Sequence, residues 1–105
     1  MKATIDAGKM IPTQTILKFP LDPNSSNVLI MPVKAKILTL QVQENKPCMW
    51  VLADPKELEK EERFFEIAKT GKPFYFTGEN LFIGTCQLQS KIGNFEVYVF
   101  EHLPG

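Results

Sequence analysis

From Lys36 onward, apolar residues recur at every second position, in short runs separated by turn-forming residues. Successive side chains of an extended strand point to opposite faces, so this period builds half-buried strands. It does not build an amphipathic helix, whose apolar positions recur every three to four residues. In Lys36-Ile37-Leu38-Thr39-Leu40-Gln41-Val42-Gln43, Leu38, Leu40 and Val42 share one face with Lys36, while Thr39, Gln41 and Gln43 share the other. Glu44-Asn45-Lys46-Pro47 reads as a hairpin connection into Cys48–Ala53, a more thoroughly buried strand. Phe64–Ala68, Leu81–Leu88 and Phe95–Glu101 continue the pattern, the last two joined by a hairpin at Ser90-Lys91-Ile92-Gly93-Asn94. Upstream, Thr15–Phe19 and Asn27–Met31 are shorter strands bounded by Pro20, Pro23 and Pro32. Seven short strands with turn signals between them predict an all-β, single-domain sandwich or jelly-roll-like barrel.

One stretch departs from the alternation. Asp54–Arg63 carries eight charged residues in ten positions. Asp54 suits an N-cap, Pro55 the first helical position and Glu57 the acid of a capping box, which predicts one short helix near residues 55–62, docked through Leu58. Such a helix is a solvated link between strands or, in a sharper reading, a negatively charged docking surface. Residues 1–13 lack a pattern and read as an N-terminal arm or tail preceding a β domain over residues 14–105. Met10-Ile11 is apolar for a free terminus, which suits an arm that crosses onto a neighbouring subunit.

At 105 residues and 11.9 kDa there is room for one domain. Twelve Lys+Arg balance twelve Asp+Glu, which excludes a histone-like binder, a polybasic membrane-surface protein and an acidic disordered tail. Arg63 is the single arginine, so bidentate phosphate forks are scarce and recognition of a nucleic-acid duplex is not expected. A net charge of zero does little to keep copies apart, and Phe74-Tyr75-Phe76 forms an apolar loop; together they predict a homo-oligomer with Phe74, Tyr75 and Phe76 at its interface. The first residues contain no apolar run like that of a signal peptide. The longest apolar stretches, such as Cys48–Ala53, are strand-length rather than membrane-length. The expectation is a cytoplasmic protein with reduced thiols and no membrane partner.

The inventory of reactive groups is thin. His102 is the only histidine; Cys48 and Cys86 lie in apolar strands, where burial silences a thiol; Ser25, Ser26 and Ser90 lack a nucleophile-elbow context. Asp6, Asp22 and Asp54 sit at turns or a cap, and Cys48, Cys86 and His102 have no metal-ligand spacing. These observations predict a non-enzyme that needs no cofactor or metal. Thr70-Gly71-Lys72-Pro73 is a turn in which Gly71 supplies positive φ; as an anion site it would offer the Gly71 N–H and the Lys72 ammonium. Gly84, inside the strand Phe82-Ile83-Gly84-Thr85, marks a bulge or a close backbone approach. Phe65, Phe82, Phe95 and Phe100 alternate toward the expected core. Trp50 has two readings: a core residue with its N–H satisfied, or a stacking platform with Gln41 and Gln43 reading a ring edge and Arg63 and Lys72 supplying charge.

The ordered set Met31–Gln43 (MPVKAKILTLQVQ), Pro47–Pro55 (PCMWVLADP), Phe65-Glu66-Ile67, Thr70-Gly71-Lys72-Pro73, Phe82-Ile83-Gly84-Thr85 and Val97-Tyr98-Val99-Phe100-Glu101 resembles a family of small phage and prophage proteins classed as a domain of unknown function. It spans about residues 15–101. Lys34-Ala35 stands where that family has a Gly-Ala pair, and Tyr98 where it often has histidine, which removes any histidine-based activity there. The resemblance implies a phage accessory protein and supplies no reaction. With the inventory above, the expected function is non-enzymatic binding that antagonises a host antiviral defence. It would work either by sequestering a small, anionic, nucleotide-type signal or by masking a host protein. A virion structural or decoration protein is the alternative.

Overall fold

A computed structural model describes residues 14–75 and 77–103. The N-terminal arm expected over residues 1–13, and Phe76 of the expected interface loop, lie outside the described residues. All seven expected strands form: β1 (Thr15–Pro20), β2 (Asn27–Pro32), β3 (Lys36–Gln43), β4 (Lys46–Ala53), β5 (Lys60–Lys69), β6 (Glu79–Ser90) and β7 (Gly93–Leu103). Every pairing is antiparallel. One sheet has the order β1-β4-β3 and the other β2-β5-β7-β6; neither closes into a barrel, so the architecture is sandwich-like.

The inner faces supply the core. Met49, Val51 and Ala53 alternate inward from β4, meeting Met31, Phe65 and Val99 of the larger sheet, with Leu21 and Ala35 from the connections. A second cluster, Cys86, Leu88 and Val97, joins the first through Leu40 and Ile67, which pack against both. Fully burying one side chain of this size stabilises by roughly 1.5–3 kcal/mol. The alternation therefore fixes which face of each strand turns inward.

Local chemistry sets the turns. Glu44 and Asn45 both take positive φ (52° and 59°), forming a two-residue hairpin whose twist matches the flanking strands. The Asn45 side chain then locks this turn to β6: its Nδ2 donates to the Gln89 carbonyl at 2.9 Å, and its Oδ1 accepts from the Gln89 N–H at 2.8 Å. Gly71 takes φ 78° in the turn after β5, as its sequence context predicts. At Gly84 both expected features occur together. The β6–β7 register slips between Phe82 and Gly84, and a Cβ at Gly84 would sit 3.3 Å from Leu40 Cδ2 of the facing sheet.

Three expectations need correction. Among the described residues there is no helix, and the one expected near 55–62 is replaced by a turn followed by the start of β5. Asp54 acts as a turn-former: its Oδ1 accepts from the Lys56 N–H at 2.9 Å, and its carbonyl accepts from the Glu57 N–H at 3.1 Å. Asp-Pro opens a turn as readily as a helix, and Leu58, at 94% exposure, finds no apolar surface to dock on. Residues 60–63 gain more by pairing with β2 than by closing a single helical turn. Second, β3 bulges between Ile37 and Thr39, so Ile37 and Leu40 pack on the core, while Leu38 is exposed and Lys36 faces outward opposite Leu52. Third, Phe82 and Phe100 do not face the core. Phe100 has the opposite parity to buried Val97, Val99 and Glu101 and pairs with Phe82 on the outer face.

Candidate functional site

The outer face of the four-stranded sheet is built by register. Paired residues of antiparallel strands share a face, so one row across β2, β5, β7 and β6 reads Val28, Phe64, His102, Asn80. The next row reads Glu66, Phe100, Phe82, and Ile30 with Glu62 continues the face at its β2 end. Phe82 and Phe100 pack with ring centroids 5.4 Å apart at a tilt of 56°, and Phe74, from the β5–β6 connection, stacks on Phe100 at 5.3 Å. Ile30 remains 64% exposed, Phe82 53%, and Val28 and Phe64 are exposed beside them. Acidic groups rim the patch: Glu62 lies opposite Ile30, and Glu66 accepts the Ser26 hydroxyl at 2.9 Å.

The residues expected to form a nucleotide site are dispersed. Trp50 lies on the outer face of the three-stranded sheet, half-buried, between Lys18 on β1 and Thr39 on β3. The bulge in β3 sets this register: Gln41 pairs with Cys48 and is a diagonal neighbour of Trp50, while Gln43 pairs with Lys46. The Lys18 ammonium donates to Gln43 Oε1 at 2.6 Å, a bond that spans β4 beside Cys48. Cys48 is buried although it has the outward parity of its strand. Burial pushes its thiol pKa up, and Lys18 partly offsets this. Cys86 lies in the core; burial raises its pKa too, with a further rise from nearby Cys48. Both thiols are free.

Arg63 belongs to the other sheet and is engaged there through all three of its nitrogens. Its Nε donates to Glu101 Oε2 at 2.7 Å, its Nη2 to Glu101 Oε1 at 2.8 Å and its Nη1 to the Ala35 carbonyl at 2.7 Å. The Glu101 hydrogen bond holds the guanidinium pKa above its ordinary value against the opposing cost of burial. The pair forms a ridge between a cleft of about 400 Å³ beside Phe64, Leu81 and His102 and one of about 340 Å³ beside Lys36, Thr39 and Phe82.

Lys72 lies at the opposite end of the sandwich. There it shares a slot of about 300 Å³ with Lys69, Thr70, Asn94 and Phe95. Of the expected interface loop, Phe74 is packed on its own sheet and Tyr75 is 85% exposed. Trp50, Arg63 and Lys72 thus occupy three separate places.

The outer-face residues Val28, Ile30, Phe64, Phe82 and Phe100 were not singled out from the sequence as a site. The signal was present in β5 and β7. Phe64-Phe65 and Val97-Tyr98-Val99-Phe100 are apolar at both parities, as in strands covered on both faces. Among the described residues no three His, Cys, Asp or Glu side chains gather as metal ligands, and no helix is long and apolar enough to cross a membrane.

These features define a small, two-sheet antiparallel β domain with one apolar outer face and clefts at its ends. The chain belongs to the family described as a domain of unknown function, DUF7352, whose model matches residues 12–104. No curated protein and no solved structure matches it.

Proposed function

We propose that this protein acts by occupancy rather than turnover, masking a protein partner through the outer face of the four-stranded sheet and the adjoining β2 edge. The observation that carries this reading is the contiguous apolar surface of Val28, Ile30, Phe64 and Phe82 around the Phe74–Phe100 stack. β2 is an edge strand of its sheet, and its backbone offers the ladder of donors and acceptors that an extended segment of a partner would complete. Glu62 and Glu66 on the same face favour a partner segment that is apolar with basic flanks. The dispersal of Trp50, Arg63 and Lys72 weighs against capture of a nucleotide by that set. The proposed setting is an accessory protein in the host cytoplasm that blunts an antiviral defence, a reading supported by the resemblance to small phage and prophage proteins alone.

The test uses the full chain expressed in its native host. Wild type co-purifies with one partner in stoichiometric amount, and the Ile30→Glu/Phe82→Glu variant stays folded by circular dichroism and loses it. A wild-type chain that purifies alone and monomeric overturns the docking reading. Recovery in many copies from purified particles makes it a virion component instead, and light scattering at twice the chain mass makes the partner a second copy of this chain.

A further inference from the structure

The turn Thr70-Gly71-Lys72-Pro73 is left unused by the docking face and lies at one end of the sandwich, where it meets the β6–β7 hairpin. Between them runs a slot of about 300 Å³, lined by Lys69, Thr70, Lys72, Asn94 and Phe95 among others, with two ammonium groups and no carboxylate in its walls. Its volume falls at the lower end of the range for small-molecule sites. A larger cleft of about 590 Å³ shares Lys69, Ser90 and Phe95 with it and adds Lys46 together with the acidic Asp22 and Glu44, so the purely cationic lining is confined to the slot on the Lys72 side of Lys69.

The side chains in the slot are held in different ways. Lys69 Nζ donates to Asn24 Oδ1 at 2.9 Å and lies 5.4 Å from the centroid of Phe95, which fixes one cation against the ring. Lys72 is placed by its own N–H, which donates to the Lys69 carbonyl at 3.1 Å and turns the chain so that both lysines line the same slot. The Lys72 ammonium is exposed and makes no hydrogen bond among the described residues. Gly71 and Gly93 leave the backbone bare on both sides: a Cβ at either position would meet nothing within 4 Å. A ligand can therefore approach the main chain as well as the side chains.

We propose that this slot binds a small phosphate-bearing anion with a planar body, of the nucleoside monophosphate class. The phosphate lies between the Lys69 and Lys72 ammoniums, and the planar body lies alongside Phe95 where Lys69 does not cover it. Two cations in a slot whose own lining holds no carboxylate favour a doubly charged group over a neutral one, and a half-buried aromatic wall favours a flat ring. The site goes beyond the docking reading and does not rest on it. It takes up the anion reading of the Thr70-Gly71-Lys72-Pro73 turn and shares only Lys72 with the residues expected to form a nucleotide site around Trp50.

The experiment is a titration of the ¹⁵N-labelled full chain with adenosine monophosphate, ribose 5-phosphate and inorganic phosphate. Saturable amide shifts are expected at Gly71, Lys72 and residues 92–95, with adenosine monophosphate binding about tenfold tighter than ribose 5-phosphate. Lys72→Glu weakens adenosine monophosphate about tenfold or more, whereas Lys56→Glu, in the exposed turn after β4, changes it less than about twofold. Ile30→Glu/Phe82→Glu leaves the titration unchanged, which separates this site from the docking face. Shifts that do not saturate, or an equal loss in Lys56→Glu, reduce the effect to general charge and overturn the site. Equal affinity for adenosine monophosphate and ribose 5-phosphate overturns the part assigned to Phe95.

Discussion

Replacing Glu101 tests whether the Arg63 pair is held together by direct bonds or is incidental to packing. In Glu101→Leu, the guanidinium loses the acceptors of its Nε–H and Nη2–H and keeps only the Ala35 carbonyl. The side chains are 16% and 7% exposed, so water can reach the orphaned donors only partly. Breaking a buried pair from one side costs about 3–5 kcal/mol, and the residual exposure of Arg63 places this case near 3 kcal/mol. Against a total stability of about 5–15 kcal/mol for a domain of this size, that is a large fraction. It corresponds to a melting temperature lower by roughly 12–20 °C. Arg63→Met, which strands the carboxylate, costs a similar amount. The double variant Arg63→Met/Glu101→Leu removes both charges together and falls within about 1 kcal/mol of wild type, the remainder being the Ala35 carbonyl left without its donor. Urea unfolding followed by circular dichroism and by the fluorescence of Trp50, the only tryptophan, measures all four chains. The reasoning is refuted if Glu101→Leu loses less than about 0.5 kcal/mol, or if the double variant is as unstable as the two singles added together.

Asn45→Ala should cost about 2–3 kcal/mol, since it removes two bonds to Gln89 and places a Cβ-bearing residue without local hydrogen bonding at φ 59°; Asn45→Gly should cost about 1 kcal/mol, and thermal melts compare the two. Leu58→Asp should change stability by less than about 0.5 kcal/mol, because Leu58 touches no core, and a large loss in the same melts would restore the helix that the structure replaces with a turn. Native Cys48 and Cys86 should be alkylated by iodoacetamide far more slowly than in urea. Both thiols have folded pKa values above their ordinary 9.0, so their contribution to stability is complete below about pH 9 and is lost as pH rises beyond it. The Cys48→Val/Cys86→Val chain should therefore lose less stability than wild type between pH 8 and 10 in urea titrations.

The strand count, the hairpin at Glu44-Asn45, the turn at Gly71 and the irregularity at Gly84 were all legible in the sequence. Each depends on local rules: alternation decides the faces of a strand, and glycine and asparagine favour the positive φ that Asn45 and Gly71 adopt. What escaped depends on partners distant in the chain. Asp54-Pro55 is compatible with a helix start or a turn, and the choice fell to β2, which offered residues 60–63 a strand to pair with. Leu38 follows the alternation on paper, yet one extra residue in β3 displaced it. Phe82 and Phe100 are as apolar as any core residue; only the assembled four-stranded sheet, with its inner face already filled by Val97, Val99 and Phe65, left them outside. Trp50, Arg63 and Lys72 could be grouped by chemistry but not by position. Thus the sequence by itself determined the seven strands and most of their turns, because the period of side chains along a strand is a local property. The tertiary structure alone decided the pairing of Arg63 with Glu101, the separation of Trp50 from Lys72 and the apolar outer face, because burial is settled by whichever sheet arrives to cover a surface.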